Sequence, residues 1–117
     1  MNISKINNLN FSGSVERDVT ILQPHGIHVR PAGLLIRLSQ LTPQDIYIQK
    51  ENKKPENIKH SLISILLLEL QQGEKIKVIV DDTYPKSLLD AITSCLGAKS
   101  FEENVKLYQD FIDNIDK

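Results

Sequence analysis

The sequence predicts an α+β domain whose elements follow the order β-α-β-β-α-β-α, with one more helix after them. Short stretches of alternating apolar and polar residues, typical of strands with one buried face, are separated by stretches with helical spacing of apolar residues. Glycine and proline stand at several of the junctions. A chain of 117 residues suits one domain with a modest core.

Alternation predicts the strands. Val19 and Ile21 share one face of the first strand, and Ile46 and Ile48 share one face of the second. Pro55 restricts the third strand to a sheet edge, because proline donates no hydrogen bond to a neighbouring strand. The predicted strands cover residues 18–23, 45–50, 56–59 and 75–80.

Helical spacing predicts helices over about residues 29–41, 62–70 and 85–96. The first ends before Pro43, since the residue that precedes a proline avoids helical geometry. Residues 62–70 are so uniformly apolar that they fit a buried strand or a helix, but their length and the dominance of leucine favour the helix. Ser61 is a candidate N-cap for that helix, and Gly73 is a stop signal after it.

The tail of the chain predicts an additional amphipathic C-terminal helix. It begins with the pattern of a capping box, in which Ser100 and Glu103 satisfy backbone amides of the first turn. Packing of this helix on its own domain is favoured because short helices are unstable alone, and a dimer contact is the alternative. The chain thus divides into a mobile, asparagine-rich N-terminal arm (1–16), a domain (17–98) and the additional helix (99–117).

Composition and charge favour a cytoplasmic protein. The formal net charge of −1 gives no indication of a nucleic-acid or membrane-surface partner. No apolar run reaches the roughly 18 residues that a membrane-spanning helix needs, and the polar N-terminus lacks a secretory signal. Cys95 is the only cysteine, which excludes an intramolecular disulfide, and its place in an apolar stripe predicts a core side chain.

The most chemical information lies in residues 26–33, Gly26-Ile27-His28-Val29-Arg30-Pro31-Ala32-Gly33. His28 precedes a helix start marked by Pro31, where unpaired N–H groups and the positive end of the helix dipole create an anion site. Arg30 adds a second group that binds phosphate. Because the dipole opposes protonation of His28, its ring keeps a lone pair for nucleophilic attack on phosphorus. The alternative is an ordinary loop histidine.

This run resembles the phosphorylation-site signature of the HPr family, the histidine-containing phosphocarrier proteins of the bacterial phosphoenolpyruvate:sugar phosphotransferase system. Val29 and Gly33 depart from the residues usual in that family. The resemblance covers about residues 17–98 and implies an open-faced β-sandwich, a four-stranded antiparallel sheet with helices on one face. It also implies that His28 accepts a phosphoryl group on Nδ1 from enzyme I and donates it to IIA proteins, while Arg30 contacts the phosphate.

The same resemblance extends to a second segment. Ser61 aligns with a serine that an ATP-dependent HPr serine kinase phosphorylates in many bacteria, and His60 takes the place of a lysine common before it. Leu62, Ile63 and Leu66 match positions at which the family docks its partner proteins. The alternatives are a plain helix cap for Ser61 and a core role for the three apolar residues.

Two functions from different classes therefore stay open. The first is a phosphocarrier that acts through His28, a transfer intermediate rather than an independent catalyst. The second is a regulatory binding module controlled by phosphorylation of Ser61. His25 and His28 supply only two ligands, whereas a structural zinc site usually needs about four, so no metal or other cofactor is expected. His25 is assigned instead to the rim of the phosphate site.

Overall fold

The structure is a computed structural model that describes residues 11–59 and 61–115. Its strands are β1 (Ser14–Thr20), β2 (Ile46–Lys50), β3 (Glu56–Asn57) and β4 (Lys75–Asp81). Its helices are α1 (Val29–Ser39), α2 (Leu62–Leu67), α3 (Lys86–Leu96) and α4 (Phe101–Ile115). The order of elements and the additional C-terminal helix are as predicted.

The four strands form one antiparallel sheet in the spatial order β1-β4-β2-β3. On the face that the helices cover, Val19 of β1 lies opposite Ile76 of β4, and both are buried. Successive side chains of a strand point to opposite faces, so their neighbours Asp18 and Lys77 lie on the other face, where they form an ion pair at 3.0 Å. The open-faced arrangement is therefore confirmed.

The core lies between the sheet and the helices. Apolar burial of this kind is the main favourable contribution to folding. The α4 helix packs against α1 and α3 of the same chain and covers the edge of this core. The helices contribute Ala32, Leu35 and Leu38 from α1, Ile65 from α2, Leu88, Leu89, Ile92, Cys95 and Leu96 from α3, and the partly buried Leu107, Tyr108 and Phe111 from α4.

The first strand begins at Ser14, earlier than the sequence pattern predicts, and ends at Thr20. The sequence pattern did not predict this early start because Arg17 faces the helices. Arg17 shares that side of β1 with Val19 and donates a hydrogen bond to the Asp90 carboxylate of α3 at 2.7 Å. A charged residue at an inward position interrupts the alternation on which the prediction depends. Residues 1–10 of the predicted mobile arm lie outside the described residues, and residues 14–16 belong to β1.

The apolar segment after Ser61 is a helix, as favoured, but α2 ends at Leu67 and not near Leu70. The ammonium of Lys50 donates a hydrogen bond to the carbonyl of Leu68 at 2.8 Å, which satisfies a carbonyl at the helix end. Glu69 then adopts a left-handed backbone with φ of 52°, so the helix cannot continue.

Candidate functional site

His28 is the N-cap residue of α1, with an extended backbone (φ −91°, ψ −168°). Its carbonyl accepts the first hydrogen bond of the helix, from the N–H of Ala32 at 3.0 Å. Among the described residues the imidazole has no capping partner, and the residue is half-buried. The ring is therefore not used to hold the helix start and is available for chemistry.

A tight turn fixes the position of His28. The N–H of Gly26 donates to the carbonyl of Gln23, and the N–H of Ile27 donates to the carbonyl of Leu70, both at 2.9 Å. Gly26 has a φ of 65°, and a Cβ atom added there would lie 2.1 Å from the Leu70 oxygen. Only glycine fits this backbone and this approach. The turn is thus locked to the segment that follows α2.

The first turn of α1 favours an anion. Within this described turn there is no acidic side chain, and Pro31 is the third residue of the helix. Because proline has no N–H, the first-turn amides that lack an intrahelical acceptor are those of Val29 and Arg30. These amides lie at the positive end of the helix dipole, so this end of α1 can hold phosphate oxygens near His28.

The pKa of His28 lies below its ordinary value of 6.5. Burial is the largest cause because it disfavours the charged imidazolium, and the charges of Arg30 and His25 lower the pKa further. His28 is therefore mainly neutral at about pH 7, with a lone pair on one ring nitrogen. Arg30 and the exposed His25 thus add to the effect of burial in keeping His28 neutral.

The Arg30 side chain has a partner that sequence reasoning missed. Its guanidinium carbon lies 4.4 Å from the centroid of the Phe101 ring, at the start of α4, which is a cation–π contact. No local pattern could reveal this pair, because its members are far apart in the chain and belong to different helices. The structure thus gathers His28 and Arg30 at one helix end and brings α4 beside them.

Residues 15–98 match the family model of the PTS HPr component phosphorylation site. The chain belongs to the HPr family. It is 31% identical over 88 residues to the phosphocarrier protein HPr of Streptomyces coelicolor, covering 75% of this chain and 92% of that protein. It is 39% identical over 73 residues to the phosphocarrier protein HPr of Chlamydia pneumoniae, covering 62% of this chain and 66% of that protein.

Solved structures of the HPr family have the same architecture. The phosphocarrier protein HPr of Bacillus anthracis aligns with a TM-score of 0.62 at 25% identity, over 71% of this chain and 96% of that one. HPr from Thermoanaerobacter tengcongensis aligns with a TM-score of 0.57 at 30% identity, over 72% of this chain and 97% of that one. The α4 helix begins after the residues matched to the family model.

Ser61, the second site residue that the HPr resemblance indicated, is the N-cap of α2. Its Oγ accepts a hydrogen bond from the N–H of Ser64 at 3.0 Å, and the residue is half-buried. The plain capping role is therefore present, and it does not conflict with phosphorylation, because a helix N-terminus tolerates phosphate oxygens. His60 lies outside the described residues.

The apolar residues predicted to dock partners differ in exposure. Ile63 is 67% exposed, whereas Leu62 and Leu66 are half-buried against the core. Leu67, which is not among the predicted docking residues, is 76% exposed. Because residues on both faces of α2 are apolar, the sequence has no periodicity that distinguishes its exposed side chains from its buried ones.

Other features of the described surface do not extend the site. One surface hollow is lined by residues of β1, β2 and β4, among them Asp18, Gln49 and Lys77, and does not include His28. No group of three or more potential metal ligands occurs within residues 11–59 and 61–115. None of the described helices has the length and apolar character needed to cross a membrane.

Proposed function

We propose that this protein is a phosphocarrier in which His28 accepts a phosphoryl group from phospho-enzyme I and donates it to a IIA protein. A lone pair on the His28 ring forms the new nitrogen–phosphorus bond while the bond to the donor histidine breaks and its electron pair returns to the donor nitrogen. The second transfer repeats this exchange toward the acceptor. The observation that carries the proposal is the half-buried His28 imidazole, which caps no amide at the N-terminus of α1, and its lowered pKa is consistent with this role.

The neighbouring groups have positioning and electrostatic roles in this proposal. The amides of Val29 and Arg30 and the Arg30 guanidinium would hold the equatorial phosphate oxygens, where charge accumulates during transfer. A guanidinium offers paired donors that match phosphate oxygens. None of these groups needs to gain or lose a proton during the reaction, so the same contacts can serve both acceptance and donation of the phosphoryl group.

The test is phosphorylation by enzyme I and phosphoenolpyruvate. We expect an acid-labile, alkali-stable phosphate on the wild-type protein and none on His28→Ala, whereas His25→Ala should still accept the label, because His25 is assigned to the rim of the site and not to the acceptor position. Enzyme I that labels a second HPr but not this protein would refute the carrier proposal. Labelled His28→Ala would refute the assignment of the acceptor.

A second role, regulation through Ser61, is supported by the half-buried Ser61 hydroxyl at the start of α2, next to the exposed Ile63. Phosphate there would add negative charge to the proposed docking face and hinder an acidic partner. An HPr serine kinase with ATP should place an acid-stable phosphate on the wild-type protein and on Ser64→Ala, but not on Ser61→Ala. Labelled Ser61→Ala would exclude this site.

The two functions are separated by combining these assays. A protein that accepts phosphate at Ser61 but never at His28 is a regulatory binding module. A protein that transfers through His28, and does so more slowly after Ser61 is phosphorylated, is a regulated carrier, and this is the result we expect.

Partner docking is assigned to Leu62, Ile63 and Leu66. Truncation of the most exposed of them should weaken binding and leave the fold intact, because an exposed side chain contributes little to stability. Ile63→Ser should therefore raise the KM for transfer from phospho-enzyme I with little change in kcat. Leu41→Ser removes another exposed apolar side chain, 47% exposed and located after α1, and is the control.

A further inference from the structure

The α4 helix is attached to the domain by buried polar contacts as well as by apolar packing. Asn104 is 1% exposed and Gln23 is 2% exposed. The Gln23 side-chain amide donates to the Asn104 side-chain oxygen at 2.6 Å, and the Asn104 amide donates to the Cys95 carbonyl at 2.5 Å. Gln23 begins the turn that leads to His28, so α4 and this turn are joined directly.

The position of Phe101 follows from this attachment. Phe101 precedes Asn104 by three residues, so both lie on the same face of α4. The start of the helix is also fixed, because the N–H of Glu103 donates to the Ser100 hydroxyl at 3.1 Å, and the Glu103 carboxylate accepts from the N–H of Lys99 at 2.6 Å. The ring that contacts Arg30 is therefore on a well-supported helical turn.

We propose that Phe101 is a positioning residue for phosphoryl transfer, whose ring holds the Arg30 guanidinium beside His28 before the phosphoryl group arrives. The proposal rests on the proposed phosphocarrier function. An exposed arginine otherwise samples many rotamers, and restricting them in advance lowers the entropic cost of forming its bonds to phosphate. Phe101 does not touch the phosphate in this scheme. It acts through Arg30, from a helix that lies beyond the residues matched to the family model.

The geometry is tested first by NMR on the wild-type protein. A guanidinium above an aromatic ring should show an upfield ring-current shift of the Arg30 Nε–H resonance. The shift should disappear in Phe101→Leu, which keeps apolar bulk, and be retained in Phe101→Tyr, which keeps an aromatic ring. A wild-type resonance at the position seen in Phe101→Leu would overturn the proposal without any measurement of transfer.

Kinetics then test the consequence. Because an exposed cation–π contact contributes modestly, Phe101→Leu should lower kcat for transfer from phospho-enzyme I by roughly two- to fivefold. The KM should stay unchanged, and Phe101→Tyr should restore kcat. Phe111→Leu makes the same replacement further along α4 and is the control for a general loosening of the helix. Equal rates for Phe101→Leu and the wild type, or equal losses for Phe101→Leu and Phe111→Leu, would refute the role of Phe101.

The two proposals fail in different ways. If the wild-type protein accepts no phosphate from a competent enzyme I, the phosphocarrier function fails, and the NMR result still reports whether Phe101 holds Arg30. If transfer is normal but insensitive to Phe101, the carrier function stands and only the positioning role is lost.

Discussion

The backbone N–H of Ile27 donates a hydrogen bond to the carbonyl of Leu70 at 2.9 Å, which joins the turn before His28 to the segment between α2 and β4. Leu70 and Ile27 are both buried, so water cannot easily replace this bond. The neighbouring Gly26 allows the two backbones to approach this closely. The geometry of the candidate site thus depends on Gly26.

Gly26→Ala should destabilise the protein strongly. The new Cβ would meet the Leu70 oxygen, and alanine is disfavoured at a φ of 65°. A left-handed backbone costs about 1–2 kcal/mol and a disrupted buried hydrogen bond about 1–3 kcal/mol, so we expect a loss of about 2–5 kcal/mol in the free energy of unfolding. Gly33→Ala is the matched control, with no described atom within 4 Å of its new Cβ.

In that control, alanine in the interior of α1 should stabilise the protein by about 0.5–1 kcal/mol. Urea unfolding of the two variants measures both effects. Equal stability of Gly26→Ala and the wild type would show that the turn adopts another conformation.

The pKa of His28 should rise toward 6.5 when the positive charge beside it is removed. Arg30→Gln eliminates one of the causes that lower this pKa but leaves burial in place, so the pKa should stay somewhat below its ordinary value. Arg37→Gln makes the same change in the last turn of α1 and should have no effect. NMR titration of the His28 ring measures the shift, and identical titration curves for the two variants would contradict it.

Transfer should follow the protonation of His28. The rate of phosphoryl acceptance should be constant above about pH 7 and fall as the pH drops through the His28 pKa, because imidazolium has no lone pair to attack phosphorus. The same lowered pKa affects stability. Because the pKa of His28 is lower in the folded state than the 6.5 of the unfolded state, the folded state binds fewer protons between these two values. The free energy of unfolding should therefore decrease as the pH falls through that window. A rate that rises on acidification would rule out a neutral nucleophile.

Asn104→Ala should cost about 1–3 kcal/mol of stability, because it leaves the buried Gln23 amide without its partner and removes one of the hydrogen bonds to the Cys95 carbonyl. Asn114→Ala removes an exposed amide that donates to the Asp110 carbonyl at 2.9 Å on the same helix. That control should change stability by less than about 0.5 kcal/mol. Thermal unfolding compares the two variants, and equal losses would indicate that the Gln23–Asn104 contact contributes nothing specific.

Cys95 should be unreactive in the folded protein. Burial raises its pKa to about 11, partly offset by a hydrogen bond from Asn104, so little thiolate exists at neutral pH. Iodoacetamide should modify it slowly under native conditions and rapidly in urea, which exposes the thiol. Fast modification of the native protein would mean that the contact between α3 and α4 opens readily.

Much of the fold was predictable because its signals are local. The helical spacing in α1, α3 and α4 lies within single stretches of chain, and the predicted extents agree with the structure to within a few residues. The His28–Arg30 pair was likewise visible, since both residues belong to one short run whose chemistry depends on the start of a helix.

The remaining features depend on partners distant in sequence. Arg17 on the helix-facing side of β1 pairs with Asp90 of α3, and α2 ends where Lys50 of β2 donates to the Leu68 carbonyl and Glu69 adopts a left-handed backbone. Lys59 is buried, and its ammonium donates to the carbonyls of Ser39, the last residue of α1, and of Thr42, which follows that helix.

Lysine side chains are rarely buried, yet Lys59 is buried in this fold, and burial lowers the pKa of its amine. The contact between the Arg30 guanidinium and the Phe101 ring was likewise visible only in the structure, because the two residues are distant in sequence. Such contacts carry no periodicity, so a single sequence cannot reveal them.

Pro31 has a consequence for how firmly a phosphoryl group is held. A helix that begins with ordinary residues offers three amides to an anion, whereas α1 offers two, and the remaining contacts would come from the Arg30 guanidinium. Moderate binding of the phosphoryl group suits a carrier, because a group held too tightly in the ground state would be transferred slowly to the next acceptor.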